Sequence, residues 1–301
     1  NGTDSENRSD ALVVKFNGNT TLAGSMTATS FIGDGSQLTN LPLLFSYNSN
    51  QAGGIEVADY TTASGSNAFA VGNDNLASGS NSTAMGRGTI ASGDDSTALG
   101  ANTEASGLHS TAMGMYSKAS GNSSTAMGYY TEASGDYSTA SGSYSTASGT
   151  YSTAMGRGTT ASGSYSTAMG YNSEASGNRS TAMGSNTQAS GMWSIAAGAN
   201  STAIGTVSLS FGYESMASGD NATAIGYRVT ASDRSSLVIG EYNLLGSTVT
   251  NSATQFSTDN TAFVIGNGSD SDNRSDAFVV KFNGDATLAG SMTATSFIGD
   301  G

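Results

Sequence analysis

Side chains able to move a proton, attack a carbon or bind a metal are few in this chain. It has one histidine, His109, and no cysteine in 301 residues. His109 falls at a recurring turn position held elsewhere by Asn, Asp, Ser or Tyr, which marks a turn residue more than a general base. Serine is abundant, but it recurs as a fixed repeat position and no nucleophile elbow surrounds it. No catalytic residue and no cofactor are therefore assigned, and the chain reads as a non-enzyme. The nearest approach to a cation site is DSDNRSD, 270–276, where Asp270, Asp272, Asn273 and Asp276 offer oxygen atoms. It lacks the twelve-residue loop, central glycine and terminal glutamate of a calcium hand, so solvated turn chemistry is the reading and no metal is assigned. Aromatic residues are the more suggestive group. Tyr137, Tyr151 and Tyr165 share one turn position, and Tyr116, Tyr130 and Tyr144 share another on the opposite edge. At a strand spacing of about 4.8 Å each trio forms a ladder, which either stiffens the molecule or offers a strip to a glycan or protein surface.

The composition narrows what such residues can serve. Net charge is −13 with ten scattered Lys and Arg, which excludes the clustered cations that nucleic acid requires. No run of eighteen apolar residues is present, so no membrane-spanning helix is expected from this segment. The opening NGTDSENRSD is not a signal peptide. Residues 1–35 align with 267–301, and 30 of the 35 positions are identical. The chain thus reads as one period of a tandem array plus an overlap.

The elements that must position the tyrosines follow a strict count. Stepping by seven from Gly65 to Gly240 gives 26 positions, all glycine except Asp233. Two residues earlier, 24 of the 26 are alanine, with Ser210 and Val238 the exceptions. A coiled coil is excluded: a helical glycine costs about 1 kcal/mol against alanine, and two dozen would cost on the order of 20 kcal/mol. Short strands ending in glycine turns fit instead, glycine supplying the positive φ of a tight turn. The expected fold is all-β, a parallel β-solenoid of about thirteen 14-residue coils, because the character of the strands alternates. In one set the residue before glycine is Val71, Met85, Leu99, Met113, Met127, Met155, Met169, Met183, Phe211, Ile225 or Ile239, interrupted by Ser141 and Ala197. In the other it is serine at twelve of thirteen places.

Strand alternation sorts these residues onto faces. Alanine fills a thin interior. The methionine row, with threonines such as Thr83 and Thr97 two residues earlier, faces outward on one wall. Serine and a variable set (Glu104, Lys118, Glu132, Thr146, Glu174, Gln188) face outward on the other. Burial of a large apolar side chain is worth about 1.5–3 kcal/mol, so eleven of them amount to on the order of 20–30 kcal/mol as an upper bound. A stripe of that size predicts a closed ring of identical chains with the methionine wall as the interface.

STAMG repeats alternating with EASG, as in NSTAMG, YSTAMG, TEASG and SEASG, resemble the head repeats of YadA-like trimeric autotransporter adhesins. The resemblance implies a left-handed parallel β-roll, a homotrimer with the methionine row on its axis, and a bacterial, extracellular, surface-borne adhesive fibre. Its partners would be identical chains and a surface glycan or protein. FNGNTTLAGSMTATSFIGDGSQLTNLP resembles segments of phage-type tail fibres and long surface proteins. NGSDSDNRSDAFVVKFNG is similar to a cap that follows such heads in large Bacteroidota-like proteins. A receptor-binding tail fibre of a phage or injection device is thus an alternative, and the threonine rows make an ice-binding solenoid another. The expected layout is a hairpin module at 1–45, a connector at 46–60, the roll at 61–243, an insertion and closing coil at 244–266, and a second hairpin module at 267–301. Within the first module ALVVKFNGNTTLAG predicts two strands about Asn17–Gly18, further strands flank Gly33–Asp34–Gly35, and Pro42 ends it. Val238 and Val264 replace alanine near the far end, where the roll should widen or be plugged.

Overall fold

The computed structural model describes residues 60–246 and 253–293, together with the strands Leu12–Val14, Thr20–Leu22, Ser46–Tyr47 and Ile55–Val57. The chain divides into two compact units, Asn1–Leu43 and Leu44–Gly301. In the first, Leu12–Val14 pairs antiparallel with Thr20–Leu22, with Leu12 opposite Leu22 and Val14 opposite Thr20. The Asn17–Gly18 turn, the strands expected about Gly33–Asp34–Gly35 and the break at Pro42 lie outside the described residues.

In the second unit every described element of regular structure is a strand. Thirteen five-residue strands, from Phe69–Asn73 to Leu237–Glu241, alternate with thirteen two-residue strands, from Thr62–Ala63 to Thr230–Ala231. Within these two sets, long strands pair with long and short with short, in parallel and with the residue fourteen positions on. Leu99 stands opposite Met113, Met113 opposite Met127, and Ala105 opposite Ala119. The result is a β-solenoid of about thirteen coils with two walls, as the alternation predicts. Thr261–Asn267 joins the long wall as a closing coil, in parallel with Leu237–Glu241. Asp276–Lys281 then pairs antiparallel with that strand, and Ala286–Leu288 pairs antiparallel with Asp276–Lys281. At the other end Ile55–Val57 pairs in parallel with Phe69–Asn73 and antiparallel with Ser46–Tyr47. The pairings run as one open ladder between these two hairpin-bounded ends.

The alanines two residues before glycine are fully buried throughout, so the two walls meet through a methyl-lined interior. That interior is more polar than alanine alone. Three residues after each glycine, at the corners, a second set of side chains also points inward. One row runs Ser82, Ser96, Ser110, Ser124 and on to Ser208; the other runs Thr89, Thr103, Ser117, Thr131 and on to Ser215. In the second row hydroxyls bond across coils: Thr131 Oγ1 donates to Ser117 Oγ at 2.9 Å, and Ser117 Oγ donates to the Gly128 carbonyl at 3.1 Å. The hydroxyls of the first row have no protein partner.

Positive φ, the reason the sequence suggests, holds for the glycines of the long strands, at φ 101–151°, but not for those after the short strands, and a second reason applies to every glycine of the frame. The positive-φ corner lies two residues after it and is occupied largely by Asn, Asp and Tyr, as at Asn81 (φ 55°) and Tyr130 (φ 51°). At Gly121 the constraint is close approach: a Cβ there would press into the carbonyl oxygen of Gly135, one coil on. At Gly128 the same contact, with Gly142, is joined by a φ of +130° inside the strand. Stacked coils therefore exclude a side chain at every seventh residue. Asp233 breaks the rule where the reason lapses. It follows the last short strand, among the described residues no further short strand stacks on it, and its Oδ2 accepts the Thr261 amide at 2.8 Å.

The far end widens. Val229, Val238 and Val264 form a second core with Ala217, Ala224 and Ala231, against which Val279 of the hairpin packs. A cleft of about 410 Å³ opens beside it, bordered by Asp233, Leu244 and Lys281.

Candidate interaction surfaces

The outer face of the long wall carries the apolar row. In-register pairing sets Met155 beside Met169, Met169 beside Met183, and Phe211 beside Ile225. After all the described elements have packed, Met85 keeps 39%, Met155 40% and Ile225 43% of its surface exposed. Val71, Leu99, Met113, Met127, Met169, Met183 and Ile239 are half-buried by their row neighbours, and Phe211 is exposed. Ser141 and Ala197 interrupt the row, and Ile265 of the closing coil extends it by one member. Thr83 and its equivalents lie half-buried alongside. The short wall is mainly polar, with Leu76, Ile90, Ile204 and Met216 the apolar exceptions, and a Lys118–Glu104 pair at 3.2 Å crosses adjacent coils.

Both turn edges carry ladders, each side chain set by a corner residue in the left-handed region. One edge begins polar: Asn67 donates to Asn81, Asn81 to Asp95, and His109 Nδ1 lies 3.4 Å from Asp95 Oδ2. The same edge turns aromatic at Tyr137, Tyr151 and Tyr165, whose rings stack at 4.7 and 4.9 Å. Sequence reading stopped the ladder there. The structure continues it, because the Arg179 guanidinium lies 5.5 Å from the Tyr165 ring and 5.4 Å from the Trp193 ring. The signal was available: Arg179 and Trp193 hold the same turn position in the next two coils. On the opposite edge Tyr116, Tyr130 and Tyr144 stack at 4.6 and 5.4 Å, with Tyr129 packed edge-on against all three. Stacking turns the ring faces of each trio toward one another, so the surface offered outward is one of ring edges and phenol hydroxyls. A sugar that packs flat on an aromatic face finds few open faces here.

Near the far end Arg228 sits within 6.0 Å of the Tyr213, Tyr227 and Tyr242 rings and pairs with Glu214 at 2.7 Å. The sequence carried a signal for this cluster too, since Glu214, Arg228 and Tyr242 hold one turn position in successive coils. Asp270, Asp272 and Asp276 are not brought together. Asp270 Oδ1 accepts the Asp272 and Asn273 amides and the Asn273 side chain at 2.8–2.9 Å, and these bonds hold its carboxyl below the ordinary value. Asp276 instead accepts the Leu244 amide at 3.0 Å, and partial burial pushes its carboxyl up. Among the described residues no group of three or more His, Asp or Glu side chains is placed to hold a metal ion.

Comparison with protein families matches the YadA head domain repeat (2 copies) over residues 63–89, 91–117, 119–145, 147–173, 175–208 and 203–228. Successive matches start 28 residues apart, which is two coils of the solenoid. No curated protein matches the chain.

Proposed function

The chain belongs to the YadA head repeat family, a structural and adhesive one, and from that premise we propose that it is a segment of a homotrimeric extracellular fibre on a bacterial surface. The rolls would be left-handed, three to a ring, with the methionine walls facing one another about a common axis. One observation carries this reading: the apolar row runs in register along the outer face of the long wall and stays half-open there. The interior of each roll is little more than alanine, serine and threonine, so the large apolar side chains contribute their burial only between chains. The turn edges, with their tyrosine hydroxyls and ring edges, then point outward and are the surfaces for a glycan or protein on the attached body. Repetition along a rod of roughly 60 Å sums weak contacts into firm attachment. Tandem hairpin modules at 1–45 and 267–301 would string such heads into a longer fibre.

The native mass of the particle tests the ring. The unmodified protein should run at three times the 30.0 kDa chain. Met127→Asp with Met169→Asp should abolish that species and leave little folded material. Gln188→Asp on the polar wall should leave it unchanged. A folded 30.0 kDa species from the unmodified chain, or a folded, soluble monomer of the double variant, would overturn the reading.

A further inference from the structure

The hairpin at the far end is a seated cap. Its strand Asp276–Lys281 covers the last edge of the long wall, setting Val279 opposite Val264 and Phe278 opposite Ile265. The residues leading into it are fastened to the roll one by one. The Gly268 amide donates to the Glu241 carbonyl and the Ser275 amide to the Tyr242 carbonyl, each at 3.1 Å. Arg274 Nη1 donates to the carbonyls of Arg228 and Asn243, both at 3.1 Å, and lies over the Tyr242 ring. Asp276 takes the Leu244 amide at 3.0 Å. Beyond the strand, the Phe282 and Asn283 amides reach the Asn260 and Thr258 carbonyls.

Every residue type that makes those contacts recurs 266 positions earlier, except that Leu12 replaces Phe278: Gly2, Arg8, Ser9, Asp10, Val13, Phe16 and Asn17. The backbone recurs as well. Leu12 opposite Leu22, Val13 opposite Thr21 and Val14 opposite Thr20 is the register of Phe278 opposite Leu288, Val279 opposite Thr287 and Val280 opposite Ala286. The two copies differ in one respect. Phe278–Val280 is paired on both edges, whereas among the described residues Leu12–Val14 is paired on one. The seat on this roll is already taken by the second copy, and an unpaired strand edge invites a partner.

We propose that residues 1–22 form the cap of a second roll of this kind, seating on its closing strand through Arg8 and Asp10 as Arg274 and Asp276 seat here. The partner is therefore the closing end of another copy of the roll, and the repeating unit of the fibre is a roll with its cap, 266 residues long. This inference holds for any ring number, so it stands or falls apart from the trimer.

Hydrogen exchange on two chains tests it: the 301-residue chain, and a joined chain in which residues 1–266 run directly into residues 1–301. In the joined chain the inner copy of Val13 and Val14 should exchange within about threefold of Val279 and Val280 at the end. In the 301-residue chain the same two amides should exchange at least tenfold faster than Val279 and Val280. Arg8→Ala with Asp10→Ala in the inner copy should return it to the fast rate, while continued protection of residues 63–231 shows that both rolls remain folded. An inner copy no slower than the free one overturns the proposal, as does a free copy already as slow as Val279. Full protection of the double variant would overturn the assigned roles of Arg8 and Asp10.

Discussion

Replacing Gly128 with alanine tests the close stacking of coils on which the fold depends. A Cβ at this position meets the carbonyl oxygen, carbonyl carbon and amide nitrogen of Gly142. All three are backbone atoms locked in the parallel ladder, so no flexible side chain can yield. Overpacking of this kind costs about 1–3 kcal/mol. Gly128 also holds φ at +130°, which adds about 1–3 kcal/mol for a residue with a Cβ. The expected loss is therefore about 2–6 kcal/mol. Gly121→Ala meets the same kind of overlap, at Gly135, with no positive φ. It should lose only the overpacking part, about 1–3 kcal/mol, so the difference between the two variants isolates the backbone contribution. Ser92→Ala, on an exposed outward position, is the control and should stay within about 0.5 kcal/mol. Urea midpoints rank the three, and hydrogen exchange locates the damage. Coils contact only their neighbours, so protection should fall around 111–143 in Gly128→Ala and persist toward both ends. If Gly128→Ala matched Ser92→Ala in its midpoint, the close approach of successive coils would not constrain this chain, and the account of the seven-residue frame would be wrong.

Two further outcomes follow from the interior and from the cap. Ser110, Ser124 and Ser138 are fully buried or nearly so, with hydroxyls that no protein atom satisfies, and a buried unpartnered group costs about 1–3 kcal/mol. Changing all three to alanine should raise the unfolding midpoint in a thermal scan; a lower midpoint would show that ordered water pairs them. In the turn before the cap, the bonds from Asn273 lower the Asp270 carboxyl below its ordinary value. Its stabilising contribution is therefore full above the ordinary carboxylate value and fades as pH falls through the lowered one. Asp276, raised by burial, runs the other way, since the cost of its charge is relieved as pH falls through its raised value. Protection of the Asp272 and Asn273 amides, corrected for intrinsic exchange, should weaken in acid and lose that dependence in Asp270→Asn. Equal pH dependence in both proteins would refute the role given to Asp270.

Much of the roll was legible in the sequence because its period is local and repeated. Alanine two residues before each glycine could point only one way along a strand, and methionine one residue later only the other, so the buried line and the apolar row followed from counting. The tyrosine ladders followed from the same arithmetic, as did the bulkier core at Val238 and Val264. The corners were not legible. Alternation applies within a strand, and the path of the chain past each glycine decides that Ser124 and Thr131 point inward when their polarity suggests solvent.

By itself, then, the order of residues determined the period, the two unlike walls and the apolar row on one of them, since each depends only on neighbours within one short strand. Tertiary structure decided what happens between residues fourteen or more apart. It showed that glycine is demanded by the carbonyl of the next coil, and that Asp233 is allowed where, among the described residues, no further short strand stacks. It also placed Arg179 between two aromatic rings and Arg274 on the carbonyls that end the roll. Such contacts depend on a separation of a few ångströms between stacked backbones, and stacking exists only once the whole ladder has formed.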